Sequence, residues 1–342
     1  MKPGYLSPRL SLASSTLPCI GLVAAAHDNH SASPTLTVTR PGGYIIDGTQ
    51  AKQWQILMKR FYALDAARGV LAITVAAFHF PFISHLTNLD LFLHTDLWVD
   101  MFFVLSGFVM THVYLDRVKD RVDLHDFLAR RFGRIYPLPL LTLLALVVIQ
   151  LGNRGAELLA GQEPTPLTGP YDLAALVPQL LLLNAVNLTE DLTWNFPAWS
   201  IGAEFYAYFV FAGVIFLAGR WLSWVSTAIA LAAVAVILAC SPYIGGISSD
   251  YGFYRCLIGF FLGVLGYLAY HRLDGLSALS RSQVTALEAL AIIGALAFVW
   301  LCPLAWPALF SPVVFTLVVL AFSRGDGHIG RLLEWSFLQH LG

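Results

Sequence analysis

An all-α fold, a polytopic bundle of transmembrane helices, is what this sequence predicts, and three observations predict it. Of its 342 residues 57% are hydrophobic and only 12% charged, whereas soluble domains carry roughly 25% charged residues. Mean hydropathy is +0.69. From residue 70 onward, apolar stretches recur close to the length of about 20 residues that a helix needs to cross a bilayer. The 20 Lys+Arg against 21 Asp+Glu, net -1, leave no basic excess for a polyanion, so nucleic acid is excluded as a partner. Cys19, Cys240, Cys256 and Cys302 lack CxxC or metal-ligand spacing, and neither a disulfide framework nor a metal site is expected.

Residues 1–57 are rich in Ser, Thr, Pro and Gly, and their longest apolar stretch, around Leu17 to Ala26, is too short to span. Ala24-Ala25-Ala26 superficially fits a signal-peptide cleavage site, but no basic region directly precedes the apolar stretch. Met58-Lys59-Arg60 then opens a long apolar run. Residues 1–57 are therefore expected to be a disordered tail or an upstream start-site artefact, with the membrane domain over 58–342. Spans are expected near 70–86, 97–115, 136–151, 197–218, 221–240, 252–270, 285–302 and 305–322. A shorter apolar segment near 171–188 makes the total eight or nine.

Lys and Arg in short loops set the orientation. Lys59 and Arg60 precede the first span, and the loop after it, with His85, Asp90, His94 and Asp96, has no Lys or Arg. The N-terminus is thus expected to be cytoplasmic. So is the loop holding Arg117, Lys119, Arg121, Arg130, Arg131 and Arg134. Beyond it, a re-entrant or interfacial 171–188 segment puts Arg220, Arg272, Arg281, Arg324 and Arg331 on the cytoplasmic side, and a crossing segment puts them outside.

A charge inside a span costs about 2.5–3.5 kcal/mol on insertion scales and tends to mark a functional interior. Arg68, His79, Asp100, His112, Glu204 and Arg255 meet that criterion. Eleven helical steps separate Arg68 from His79, roughly 20° beyond three full turns. A helix reaching back through Arg68 therefore projects both from one face, about 16 Å apart. His79 is a candidate general base or an interhelical hydrogen-bonding residue. Arg68 either acts in the site or snorkels to phosphates, with Asp65 as a possible ion-pair partner. Asp100 opens its span and suits a cap as well as chemistry, and His112 fits a structural role. Glu204 must meet a partner from another helix, face water or be protonated; Arg255 is one candidate partner. Arg131 and Arg134, three apart in the Arg130-Arg131-Phe132-Gly133-Arg134 cluster, either fix topology or grip phosphate through bidentate hydrogen bonds.

Five motifs carry a resemblance. They are Leu64-Asp65-x-x-Arg68-Gly69 with Ala76-Ala77-Phe78-His79, and Val99-Asp100-x-Phe102-Phe103-Val104-Leu105-Ser106-Gly107-Phe108. Phe127-x-x-Arg130-Arg131-x-x-Arg134-Ile135-x-Pro137, Trp199-Ser200-Ile201-Gly202-Ala203-Glu204-Phe205-Tyr206 and the Arg255 to Gly263 stretch complete the set. In this order, over about residues 60–325, the chain resembles the integral-membrane acyltransferase 3 family. The resemblance implies about ten membrane helices in a full-length member and an acyl-CoA donor, acetyl-CoA being the commonest. It implies a carbohydrate or lipid-linked saccharide acceptor in the cell envelope and a place in the bacterial inner membrane. It further implies catalytic roles for His79 and Arg68, a donor-binding role for Arg131 and Arg134 with Arg130 beside them, and an acidic site position at Glu204, with Asp100 in support. Ala66-Ala67 replace the family's frequent Gly-Leu. The chain stops at His340-Leu341-Gly342, where the family continues into a Ser-Tyr-rich helix, so a last helix is expected to be missing. The reading from another class is a proton-coupled transporter or exporter, against which stands the absence of inverted repeats and of paired Gly/Pro-broken helices.

Overall fold

The computed structural model describes residues 38–39, 45–46, 61–79, 94–188, 192–241, 247–272, 279–303 and 305–341. Most of the expected 1–57 tail, the Met58-Lys59-Arg60 start and the 80–86 end of the first expected span lie outside the described residues. Two units separate, Met1–Arg60 and Phe61–Gly342. In the first, β1 (Val38–Thr39) pairs antiparallel with β2 (Ile45–Ile46). The second is a helix bundle, as the composition requires.

The bundle begins with α1 (Tyr62–His79), which starts before the expected residue 70 and so contains both Arg68 and His79. A single 3-10 turn, Thr95–Leu97, leads into α2 (Trp98–Tyr114). α3 (Arg121–Ile135) opens on a capping box, in which the Asp120 side chain accepts from the Val122 and Asp123 amides and Asp123 reaches back to the Asp120 amide. Only Tyr136 separates it from α4 (Pro137–Leu159), whose first-turn prolines need no amide hydrogen. The combined 39-residue stretch is about 58 Å long. That is nearly twice the hydrocarbon thickness, so the arginine-bearing α3 and the apolar α4 have different surroundings.

The 171–188 segment forms 3-10 turns at Gly169–Tyr171 and Leu173–Ala175 and then α5 (Leu176–Leu180), only 5 residues long. Such a helix rises about 8 Å and cannot cross a hydrocarbon core of about 30 Å. α6 (Ala198–Leu217), α7 (Leu222–Cys240), α8 (Gly252–Arg272), α9 (Arg281–Leu301) and α10 (Ser311–Phe322) follow, then the short α11 (His328–Leu333) and α12 (Ser336–Leu341). Among the described residues six helical stretches are long and apolar enough to cross a membrane, and Trp306–Phe322 is a shorter apolar helix. Each of the eight expected spans is helical over its described part.

Leu138, Leu141, Leu144, Val148 and Leu151 of α4 are more than half exposed, as are Leu290 and Ile293 of α9. In water so much contiguous apolar surface is a liability, and against lipid tails it is the stable face. Inside, α8 packs on α2, α6, α7 and α10. Its contact with α2 is backbone to backbone. A Cβ on Gly107 would lie 1.8 Å from the Phe260 carbonyl oxygen, and one on Gly263 would lie 2.1 Å from that of Val104. Small residues at such spacing let membrane helices approach closely where no hydrophobic force drives them together. Overpacking typically costs about 1–3 kcal/mol or more. Gly263→Leu is therefore expected to lower the thermal midpoint of the detergent-solubilised protein by several degrees, whereas Gly294→Ala, with nothing within 4 Å of its Cβ, leaves it unchanged.

Candidate active site

α2, α3 and α6 bring together a chain of polar groups inside the bundle. Glu204, on α6, accepts hydrogen bonds from Ser106 of α2 and from Tyr208, one turn further along its own helix. Both hydroxyls donate to the same oxygen, Oε1. Arg255, the candidate partner for Glu204, goes elsewhere, and hydroxyls rather than a cation meet this carboxyl group. The spacing of four that places Tyr208 over Glu204 on a helix was the signal in the sequence for it.

The Tyr208 ring leads on to Arg131. The guanidinium lies 5.9 Å from that ring's centroid and 5.3 Å from the Tyr114 ring, and it donates to the Tyr114 hydroxyl at 2.9 Å. These are favourable cation–π distances, most valuable where water is excluded. The Nε of Arg131 is buried and has no hydrogen-bond partner among the described residues. Arg134 is exposed and makes no ion pair or hydrogen bond among the described residues. Arg130 forms an exposed pair with Asp126 at 3.3 Å, of the kind that contributes little stability. The two arginines thus differ: one anchored in an aromatic cradle, the other free at the surface.

Arg68 and His79 share one helix, which places them about 16 Å apart along α1. Arg68 is held by Asp65 at 3.3 Å. His79 closes the described part of the helix and is exposed. Its Nδ1 lies 2.8 Å from the Val75 carbonyl oxygen. Donation there selects the tautomer with an unprotonated Nε2. Its ring meets Phe196 edge-on at 6.1 Å, two residues before α6 begins. Glu204 lies about 9 Å further along α6.

The segment before α6 is strained. Leu182, Asn187 and Trp194 all have positive φ, 56°, 59° and 46°, a conformation that non-glycine residues adopt only when their surroundings impose it. Those surroundings are a buried network: Gln179 donates to the Thr193 carbonyl at 2.6 Å and accepts from Asn184 at 2.9 Å. Tyr206 donates to the Leu181 carbonyl at 2.7 Å and ties α6 to the same segment.

The family described as an acyltransferase domain matches residues 61–342. The chain belongs to this acyltransferase 3 family. It is 35% identical to Protein 2 in picA locus from Rhizobium radiobacter over 201 residues, 53% of this chain and 93% of that protein. It is 36% identical to Acyltransferase MdmB from Streptomyces mycarofaciens over 151 residues, 42% of this chain and 36% of that protein. The chain thus spans about a third of MdmB. No solved structure matches it. Family membership and the six apolar helices make it an integral membrane acyltransferase.

In this acyltransferase Asp100 stands apart from Glu204. Buried on α2, it binds Arg255 of α8 through two oxygens at 2.7 and 3.1 Å and accepts from Ser311 of α10. Arg255 also donates to the carbonyls of Ile247 and Asp96 at 2.9 and 2.8 Å and lies 5.7 Å from the Trp199 ring centroid. His112 is likewise enclosed, against Phe61 and Tyr267. Among the described residues no group of three His, Cys, Asp or Glu gathers to hold a metal. Removing one partner of a buried ion pair leaves the other uncompensated, at about 3–5 kcal/mol. Asp100→Ala should therefore destabilise the protein by about that amount in denaturant unfolding, and the Asp100→Leu, Arg255→Met double variant by less.

Proposed function

We propose that this acyltransferase moves an acyl group, in the first instance acetyl, from cytosolic acyl-CoA to a hydroxyl of a carbohydrate or lipid-linked saccharide of the cell envelope. One observation carries the reading: Arg131 holds a buried, unpartnered Nε beside the unpaired Arg134 on α3. Two guanidiniums with unspent donors suit the phosphates of a CoA ester. The rest of the polar chain leads from them to Glu204.

In the reaction, the acceptor hydroxyl gives its proton to Nε2 of His79 as its oxygen attacks the thioester carbonyl. The C–S bond then breaks, and the departing CoA thiolate takes the proton back. The tautomer selected by the Val75 carbonyl supports this assignment. Arg68, too far along α1 to touch the reacting carbonyl, holds the donor phosphates, and Glu204 shapes the acceptor pocket. Asp100 serves at one remove, by holding α2 against α8. Arg68 and His79 lie about 16 Å apart along α1, so a donor bound from the cytoplasm must reach along the helix on a long flexible arm.

The proposed setting is the bacterial inner membrane with the N-terminus in the cytoplasm. The turn-rich 171–188 segment supports that orientation, because it leaves Arg220, Arg272, Arg281, Arg324 and Arg331 on the same side as α3.

Membranes bearing the wild type are expected to transfer label from radiolabelled acetyl-CoA to a saccharide extract, and the His79→Ala variant, checked for insertion, to lose nearly all transfer. Normal transfer by that variant would remove His79 from the chemistry. The Arg131→Ala, Arg134→Ala double variant is expected to bind acetyl-CoA at least about tenfold more weakly, the loss of one or two charge-assisted hydrogen bonds. Unchanged affinity would leave the arginines as topology determinants.

A further inference from the structure

Glu204 is held in an unequal way. Ser106 and Tyr208 both donate to Oε1, and among the described residues Oε2 has no hydrogen-bond partner. The side chain is only partly buried, so the unpartnered oxygen is not sealed in apolar packing. A carboxyl group fixed through one oxygen loses rotation about its last bond, and its other oxygen keeps a set position. Tyr208 is itself immobile: 4% exposed, with its ring edge-on to Phe127 and Phe260 at 6.1 and 5.8 Å. The same ring faces the Arg131 guanidinium.

We propose that Ser106 and Tyr208 are positioning residues for the acyl-transfer site. They clamp Glu204 through Oε1, reserve Oε2 as the acceptor for a donor group of the bound substrate, and set Glu204 in register with Arg131. This assignment rests on the reading of Glu204 and Arg131 as substrate-facing groups. Neither Ser106 nor Tyr208 touches the reacting atoms; each acts through Glu204. A role in packing alone makes a different demand, because Phe at 208 keeps the ring against Phe127, Phe260 and Arg131 and removes only the hydroxyl.

The test uses the full chain in lipid nanodiscs and compares wild type, Tyr208→Phe, Ser106→Ala and Glu204→Gln. The infrared band of the Glu204 carboxyl group is isolated as the difference between wild type and Glu204→Gln. The expected result is a shift of that band in both Tyr208→Phe and Ser106→Ala. In acetyl-CoA-dependent transfer, kcat should fall about tenfold in Tyr208→Phe, the effect of one hydrogen bond to a charged group, while KM for the donor changes less than about twofold. An unshifted band overturns the clamp whatever the activity. A shifted band with unchanged kcat overturns the positioning role. A band that shifts as expected in both variants, with a wild type that transfers no acyl group, overturns the proposed donor and acceptor and leaves the clamp on Glu204 standing.

Discussion

Where α2 and α8 cross, Gly107 and Gly263 let each backbone touch the other directly, and the remaining bundle is arranged about that contact. Lipid tails are as apolar as leucine, so two membrane helices gain nothing from hiding apolar side chains from one another. They gain from close dispersion contact and from hydrogen bonds that the lipid cannot satisfy. The glycines supply the first. The second comes from Asp100 and Arg255, whose bidentate pair fastens the same two helices and recruits Ser311 from α10. Arg255 also donates to the Ile247 and Asp96 carbonyls, and the Asp96 carboxylate lies 3.9 Å from it.

The candidate site depends on that crossing. Ser106 precedes Gly107, and the depth at which α2 lies against α8 decides where its hydroxyl meets α6. Because Asp100 already neutralises Arg255, Glu204 is left to hydroxyl donors and to the unpartnered side of its own carboxyl group. The bundle therefore keeps two acidic groups apart in function: one closed by a salt bridge, the other restrained and open on one oxygen. Arg131 shows the same division, with its guanidinium cradled by two tyrosine rings and its Nε unspent.

Much of the architecture was legible in the sequence because hydropathy acts locally. Apolar runs of bilayer length must close their own backbone hydrogen bonds as helices, and each of the eight did so over its described part. The start of α1 was harder to read, since Asp65 and Arg68 interrupt the apolar pattern that marks a span, and the helix nonetheless runs through both. The 171–188 segment was ambiguous by composition; a buried network around Gln179 and Asn184 and a set of left-handed residues resolve it as turns. Of the site, the sequence pointed to the charged residues, which are costly in lipid and so conspicuous. Ser106 stood only as one position of a motif, and Tyr114 and Tyr208 were not singled out, because a hydroxyl in a span costs little and looks ordinary. Only the spacing of four between Glu204 and Tyr208 was there to be seen.

By itself the sequence determined the class of the protein and the positions of its apolar spans, because both follow from residues close together in the chain; of the buried charges it showed Asp100, His112 and Arg255 and missed Glu288, fully buried on α9. Pairing was decided by the tertiary structure. The sequence offered Arg255 as a partner for Glu204, and the glycine-lined crossing of α2 and α8 brought it to Asp100 instead. Hydrogen bonds and ion pairs act over a few ångströms, and which groups come that close across 155 residues of chain, as Asp100 and Arg255 do, is set by how helices pack, not by what each helix contains.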